Sequence, residues 1–195
     1  MTRIGVLALQ GDVREHARML SEVDAEPVAV KRQEQLDEVD GLVIPGGEST
    51  TIGKLLRRFE LLEPLRELVG EGLPVYGTCA GMILLADRIE GAGSDQPAIG
   101  GMNITVERNA FGRQRESFEA DLDVPVLGDD PLPAVFIRAP VIRCVGEGVD
   151  VLARVDGDRA VAARQGNILV SSFHPELTDD PRMHGYFASM VKGQT

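Results

Sequence analysis

The first half of the chain alternates short apolar runs with amphipathic segments, and no other feature of the sequence restricts the fold as much. Four runs have the length and composition of buried strands: residues 4–9, 27–30, 41–44 and 74–76. The segment after the first run carries Val13, Ala17 and Leu20 at helical spacing. Strands that alternate with helices form βαβ units, so the sequence predicts an α/β protein with a central, mostly parallel sheet.

The second half contains shorter β-patterned runs, beyond a polar, glycine-rich segment at residues 91–101 that we interpret as a surface loop. The runs span residues 104–106, 134–137, 141–145, 151–155 and 168–170. A final helix is predicted from Pro181 towards Val191. The chain has 195 residues and no internal repeat, so we expect residues 1–195 to form a single domain with three layers.

Charge and composition disfavour several function classes. The chain has 20 basic and 31 acidic residues, a net charge of -11, which disfavours a nucleic-acid partner. We find no membrane span and no signal peptide in the sequence. Cys79 and Cys144 are too few for a disulfide framework or a zinc site, so we expect a cytoplasmic protein. Lysine occurs only at Lys31, Lys54 and Lys192, which suits either a salt-rich cytoplasm or a GC-rich genome.

Cys79 lies in the sequence Gly77-Thr78-Cys79-Ala80-Gly81, after a predicted strand and before the apolar run 82–86. A sharp strand-to-helix turn requires glycines around a nucleophile, because larger side chains collide there. Such a turn leaves the sulfur at the carboxyl edge of the sheet, where the dipole of the next helix favours a thiolate. The Ala80 N–H is then placed to donate to an oxyanion. We predict that Cys79 is a catalytic nucleophile and that Cys144, which lacks this frame, is a small core residue.

His174 is the candidate for the general base, because it follows the apolar run 168–170 and precedes Pro175 and Glu176. In an extended segment, residues two apart project to the same side, so Glu176 would lie beside His174. A carboxylate there fixes the imidazole tautomer and stabilises the imidazolium. The alternative interpretation is a polar turn at a strand end. His16 and His184 are expected to be surface residues of the first and last helices.

Glycines and arginines near other strand ends are candidates for substrate binding. Gly46 and Gly47 allow the backbone to approach a ligand and to turn its N–H groups towards an anion. A plain tight turn before a helix capped within residues 49–51 explains these glycines equally well. Arg108 and Arg138 each follow a β-patterned run, and either could clamp a carboxylate or be a plain surface residue.

Together these features resemble the class I (triad) glutamine amidotransferases and, within them, the family of glutaminase subunits of pyridoxal 5′-phosphate synthase. The matching segments are residues 7–11, 14–16, 41–51, 77–81, 107–109, 111–114, 117–121, 135–140 and 172–178. The cysteine elbow and the His-x-Glu pair are shared by the whole superfamily, whereas Arg108-Asn109, the segment 136–140 and the N-terminal segment are specific to this subunit. Asp12, Ala110 and the long loop 91–101 depart from the family pattern. The fold that the resemblance implies is flavodoxin-like.

The resemblance implies a glutaminase that hydrolyses L-glutamine to L-glutamate and ammonia. Cys79 would be the nucleophile, His174 the general base and acid, and Glu176 the residue that orients His174. The implied glutamine-binding residues are Gly46, Gly47, Glu48, Arg108, Ile137 and Arg138. Backbone N–H groups of Gly47 and Ala80 would hold the oxyanion.

The resemblance also implies a partner. Ammonia would pass to a separate synthase (lyase) subunit, which builds pyridoxal 5′-phosphate within a hetero-oligomer, and docking of that subunit would complete the oxyanion hole. No metal or bound cofactor is expected in the glutaminase itself. Two alternatives remain at this point: a glutaminase of another pathway, such as histidine or purine synthesis, and a non-catalytic relative that retains the fold.

Overall fold

One extended sheet organises the structure, a computed structural model that describes residues 1–93, 95–112 and 116–193. The strands are β1 Thr2–Leu7, β2 Ala25–Val30, β3 Gly41–Ile44, β4 Val75–Thr78, β5 Ala86–Glu90, β6 Met102–Glu107, β7 Ser117–Leu122, β8 Leu132–Ile137, β9 Val141–Val145, β10 Asp150–Val155, β11 Arg159–Gln165 and β12 Ile168–Ser171. The helices are α1 Val13–Glu22, α2 Gln33–Leu36, α3 Ser49–Arg58, α4 Leu62–Gly70, α5 Ala80–Leu85 and α6 Arg182–Val191. Arg113 and Gln114, which the family resemblance includes, lie outside the described residues.

The parallel half of the sheet has the strand order β2-β1-β3-β4-β12. This is the flavodoxin-like doubly wound order, in which ligands bind beyond the carboxyl ends of the strands. The carboxyl ends of β1, β3, β4 and β12 meet at one edge. Gln10, Gly46, Cys79 and His174 follow these four ends in turn, so the topology brings distant segments of the chain together.

An antiparallel half continues the sheet beyond β12 through β11, β9 and β6, and β5 then pairs with β6 in parallel. β10 pairs only with β11 among the described strands, and β7 with β8 forms a separate two-stranded sheet. The single-domain α/β fold with a central sheet is therefore confirmed, and its parallel half carries the edge at which the site forms.

Two hydrophobic cores cover the two faces of the sheet. On one face, α3, α4 and α5 pack with residues such as Ile52 and Leu65 against the sheet. On the other face, α1, α6 and the β7–β8 hairpin pack with Leu20, Phe187 and Phe136. Successive residues of β3 alternate between these cores, as expected for a strand buried on both sides. These helix, sheet and helix layers are the three layers that the sequence predicts.

Three strands were not predicted from the sequence: β5, β7 and β11. β7, with the sequence SFEADL, exposes its polar residues and packs Phe118, Ala120 and Leu122 against the second core. β5 lies at the edge of the sheet with mostly polar residues after Ala86. β11 is buried but relies on alanine, a residue with low strand propensity. For β5 and β11 the pairing partners create the strand, and no local hydrophobic pattern reveals it. The alternation of polar and apolar residues in β7 was a usable signal that the sequence prediction missed.

Two local predictions are wrong. Cys144 is exposed and is not a core residue, because β9 buries Val141 and Ile142 but leaves its last residues uncovered. The N-cap of α3 is Glu48 and not the segment 49–51, since the Glu48 carboxylate accepts hydrogen bonds from the backbone N–H groups of the first turn.

Candidate active site

Cys79 lies on a strained strand-to-helix elbow between β4 and α5. Its φ of 49° is in a region that residues other than glycine rarely adopt. The Cys79 N–H donates to the carbonyl of Ser171 at 2.8 Å, which ties the elbow to the end of β12. A Cβ on Gly77 would lie 2.5 Å from the Gly81 backbone, and one on Gly81 would lie 2.2 Å from the Ile44 carbonyl oxygen. The close packing that the sequence predicts for this turn is therefore present.

His174 and Glu176 form a buried pair beside the elbow. His174 Nδ1 lies 2.8 Å from Glu176 Oε1, and both side chains are almost wholly buried. The segment is not extended as predicted: a 3-10 turn over Pro175–Leu177 brings the carboxylate back to the imidazole. The His174 N–H donates to the Val135 carbonyl at 2.8 Å, so β8 fixes the backbone of this turn.

The environment of His174 favours the imidazolium. Burial lowers the pKa of His174, but the hydrogen bonds and negative charges of Cys79 and Glu176 outweigh it and raise the pKa to about 10. Gly46 packs against the ring, and a Cβ there would lie 2.4 Å from His174 Cε1 and 3.3 Å from Cys79 Cβ. A cysteine, an imidazole and a carboxylate thus stand in the order that nucleophilic catalysis requires.

A cavity of about 430 Å³ opens beside these groups. Eight of the residues singled out in the sequence line it: Gly46, Gly47, Glu48, Cys79, Arg108, Ile137, Arg138 and His174. Ala80 and Glu176 do not line the cavity; Glu176 lies behind His174 and Ala80 is buried at the start of α5. The volume is in the range of small-molecule sites, and the lining combines two arginines, the acidic residues Asp12 and Glu48, and backbone groups.

Glu48 and Arg108 make up a charged wall of this cavity. Arg108 Nη2 lies 3.2 Å from Glu48 Oε1, and Arg108 also reaches Thr50 and Gln96. Burial raises the pKa of Glu48, but hydrogen bonds from Thr51 and Thr50 outweigh it and lower the pKa to about 2. The wall therefore carries one fixed negative charge and one guanidinium that is already oriented.

Sequence reasoning missed several lining residues, Gln10 and Asn109 among them. Gln10 Oε1 accepts a hydrogen bond from the Glu48 N–H at 3.0 Å, beside Gly47, whose φ is 147°. The position of Gln10 directly after a predicted parallel strand was a usable signal, because such strand ends share one edge. Asn109 follows Arg108 with a φ of 52°, and no local pattern indicated that turn.

The prediction for His16 and His184 is wrong: both side chains are fully buried. His16 Nδ1 lies 2.9 Å from His184 Nε2, because α1 packs against α6 and turns the two rings towards each other. Polar neighbours in the sequence suggested an exposed helix face for His16, but the packing of a helix far along the chain covers it.

Asp12, His174 and Glu176 each have an atom that can ligate a metal ion, and these atoms lie within 4.8 Å of one another. His174 Nδ1 and Glu176 Oε1 are already hydrogen-bonded to each other, so this grouping coincides with the imidazole–carboxylate pair. Of the helices in the described ranges, none has the length and apolar character needed to cross a membrane.

The fold and the site together define a class: α/β proteins with a cysteine on a strand-to-helix elbow and a buried His–Glu pair at the carboxyl edge of the sheet. Comparison with known proteins is specific within this class. The model of the SNO glutamine amidotransferase family matches residues 6–193. The chain belongs to this family, which confirms the resemblance found in the sequence.

Relatives and a solved structure agree with this assignment. The chain is 62% identical over 190 residues to the pyridoxal 5′-phosphate synthase subunit PdxT of Frankia alni, covering 97% of this chain and 95% of that protein. It is 63% identical over 185 residues to the subunit of the same name from Pelotomaculum thermopropionicum, covering 95% and 93%. A crystal structure of a glutamine amidotransferase has a TM-score of 0.91 and 54% identity, covering 97% of this chain and 98% of the other.

Proposed function

We propose that this chain hydrolyses L-glutamine to L-glutamate and ammonia and delivers the ammonia to a synthase subunit for pyridoxal 5′-phosphate synthesis. The 2.8 Å contact between Glu176 and His174, which lines the cavity together with Cys79, carries the proposal. Membership of the amidotransferase family and the relatives named above support the substrate and the pathway. We propose that residues 1–195 act as one glutaminase domain.

The reaction begins with attack by the Cys79 thiolate on the side-chain amide carbon of glutamine. A C–S bond forms, and the carbonyl electron pair moves to oxygen, where the N–H groups of Gly47 and Ala80 hold the charge. The oxyanion collapses and expels the amine, which leaves as ammonia with the proton from imidazolium His174. Neutral His174 then activates a water, which cleaves the thioester and releases glutamate and the thiolate.

Charges around the cavity suit a zwitterionic amino acid. Arg108 and Arg138 bring guanidinium groups that can bind the α-carboxylate of glutamine, and Glu48 brings a carboxylate for the α-ammonium. Ile137 and the two glycines at positions 46 and 47 complete the binding surface around the side chain. The acidic surface of the rest of the chain does not enter this recognition.

We expect Arg108→Gln to raise the KM for glutamine about 10-fold or more while kcat stays within about 3-fold. The guanidinium binds the substrate equally in the ground state and the transition state, so its loss weakens binding and not the chemical step. Steady-state glutamate release measures both constants. Arg154→Gln, on an exposed arginine that bonds only to the Asp158 carbonyl among the described residues, is the matched control and should change neither.

The proposed partner is a synthase subunit that docks over the cavity in a hetero-oligomer. Gly46 and Gly47 can change their backbone conformation readily, and Gly47 already has a φ of 147°. A contact from the partner can thus rotate this peptide and complete the oxyanion hole. A free thiol nucleophile also requires reducing conditions, so we propose the cytoplasm as the location.

Addition of the synthase subunit should raise the kcat/KM for glutamine by about 10-fold or more. A coupled glutamate dehydrogenase assay, with and without the synthase subunit, measures this directly. Equal rates in the two conditions would contradict the docking step. Failure of both samples to release glutamate would contradict the glutaminase itself.

A further inference from the structure

A buried polar chain lies behind the proposed triad. His16 Nδ1 lies 2.9 Å from His184 Nε2, and His16 Nε2 lies 3.3 Å from Thr78 Oγ1. The same Nε2 lies 3.5 Å from Glu176 Oε2, the carboxylate oxygen that does not bond to His174. His16 and His184 are 0% exposed and Glu176 is 1% exposed, so water does not screen these contacts.

Both histidines behind the triad are neutral. Burial holds the pKa of His16 well below its ordinary value, and a second positive charge beside His184 and the His174 imidazolium is also unfavourable. Burial also lowers the pKa of His184 to about 3, with a further contribution from Arg18. Each ring therefore carries one N–H, and the short contact between them requires that one ring donates and the other accepts.

Only one of the two possible arrangements places its protons well. In the first, the His184 Nε2–H donates to His16 Nδ1, and the His16 Nε2–H faces Glu176 Oε2. In the second, a bare His16 Nε2 faces the carboxylate, and the His184 Nδ1–H has no acceptor among the described residues. A buried N–H without a partner and a lone pair against a carboxylate both cost free energy, and the first arrangement avoids both. Glu176 Oε2 has no partner at hydrogen-bond distance among the described residues, and the first arrangement gives it a donor at 3.5 Å.

We propose that His16 is a positioning residue for glutamine hydrolysis, whose Nε2–H holds Glu176 Oε2 so that Oε1 stays aligned on His174. The inference rests on the proposed function, in which Glu176 orients His174. The Thr78 hydroxyl also contacts His16 Nε2. On the opposite side of the ring, the contact with His184 fixes the tautomer of His16. The distance of 3.5 Å is long for a hydrogen bond, and contacts of this kind commonly shorten when the substrate binds.

Two substitutions at position 16 distinguish the roles of the two ring nitrogens of His16. The amide N–H of His16→Gln reaches the place of Nε2 and can still donate to Glu176, whereas the amide of His16→Asn occupies the place of Nδ1 and serves only His184. In the complex with the synthase subunit, we expect His16→Gln to retain kcat within about 3-fold. His16→Asn should lose about 10- to 100-fold in kcat with an unchanged KM, as expected when a hydrogen bond to a charged group is lost.

The pH profile of kcat and the tautomer of His16 are two measurements that would not change if His16 had only a structural role. In His16→Asn, the alkaline limb of the kcat profile should shift to lower pH, because a misaligned carboxylate supports the His174 imidazolium less. The chain has 3 histidines, so long-range 15N–1H NMR spectra of the imidazoles can be assigned completely. The wild-type spectrum should show the Nε2–H tautomer at both His16 and His184.

Two results would overturn the inference: an Nδ1–H tautomer at His16, or equal losses in the two variants that follow their losses in melting temperature. If the wild-type complex released no glutamate, the proposed function would fail instead, and the tautomers would still be measured by NMR. The two failures are therefore distinguishable.

Discussion

Cys79→Ala is expected to abolish glutamine hydrolysis, with a loss of at least about 10⁴-fold in kcat, both alone and with the synthase subunit. A methyl group cannot form the thioester, and the remaining groups can only stabilise a direct attack by water. The fold should persist, because alanine fits the buried space of cysteine and imposes no new strain at a φ of 49°. Glutamate release measures the loss, and size-exclusion chromatography with the synthase subunit measures docking.

The second cysteine offers a matched control for this experiment. Cys144 is a free, exposed thiol on β9 and does not line the cavity. Cys144→Ala should leave both hydrolysis and docking unchanged. Residual turnover in Cys79→Ala above about 1% of wild type would refute the nucleophile assignment, since thioester chemistry has no partial substitute.

Glu176→Gln is expected to lower kcat by about 10²- to 10⁴-fold with little change in the KM for glutamine. The neutral amide cannot stabilise the imidazolium, and its NH2 group can turn the His174 ring to the wrong tautomer. Glu147→Gln, on an exposed residue after β9, is the control of equal charge change and should remain active. A Glu176→Gln enzyme with wild-type kcat would mean that another group orients His174.

In Glu176→Gln, the pH dependence of kcat is expected to shift in one direction. Contacts with Cys79 and Glu176 raise the pKa of His174 to about 10, against the effect of burial, so the proton donor persists into alkaline solution. Removal of the Glu176 charge lowers that pKa, and the alkaline limb of the kcat profile should move to lower pH. The raised pKa also means that protonation of His174 stabilises the folded state. This contribution to the free energy of unfolding is complete below the unfolded pKa of about 6.5 and is lost as the pH rises through about 10.

The sequence predicted the parallel strands and the cysteine elbow because both depend on local patterns. Apolar runs of strand length and the glycines around Cys79 are constraints that neighbouring residues impose on one another. The contact between His174 and Glu176 was also predicted, but the backbone conformation that forms it was not. A 3-10 turn brings the two side chains together, and not an extended strand. The contact itself was predicted correctly, because the turn folds the Glu176 carboxylate back onto the imidazole of His174.

Burial that depends on distant packing could not be predicted in this way. His16 has charged neighbours in α1, and segments far along the chain enclose it: α6, the end of β4 and the 3-10 turn at Pro175–Leu177. Cys144 lies in a β-patterned run and pairs with Thr105 of β6, yet its side chain is exposed near the end of β9. The proposed substrate arginines, Arg108 and Arg138, were ambiguous for the same reason, since a single arginine after a strand gives no sign of the cavity that it lines.

The residues of the proposed site come from both halves of the sheet and from the β7–β8 hairpin. Cys79 and His174 follow β4 and β12 of the parallel half, whereas Arg108 follows β6 of the antiparallel half and Ile137 ends β8 of the hairpin. The hairpin also reaches the proposed reacting groups, because the Val135 carbonyl of β8 accepts the backbone N–H of His174. A substitution that moves β8 would therefore displace Ile137 and His174 together, so the proposed binding and reacting groups are expected to change in concert during evolution.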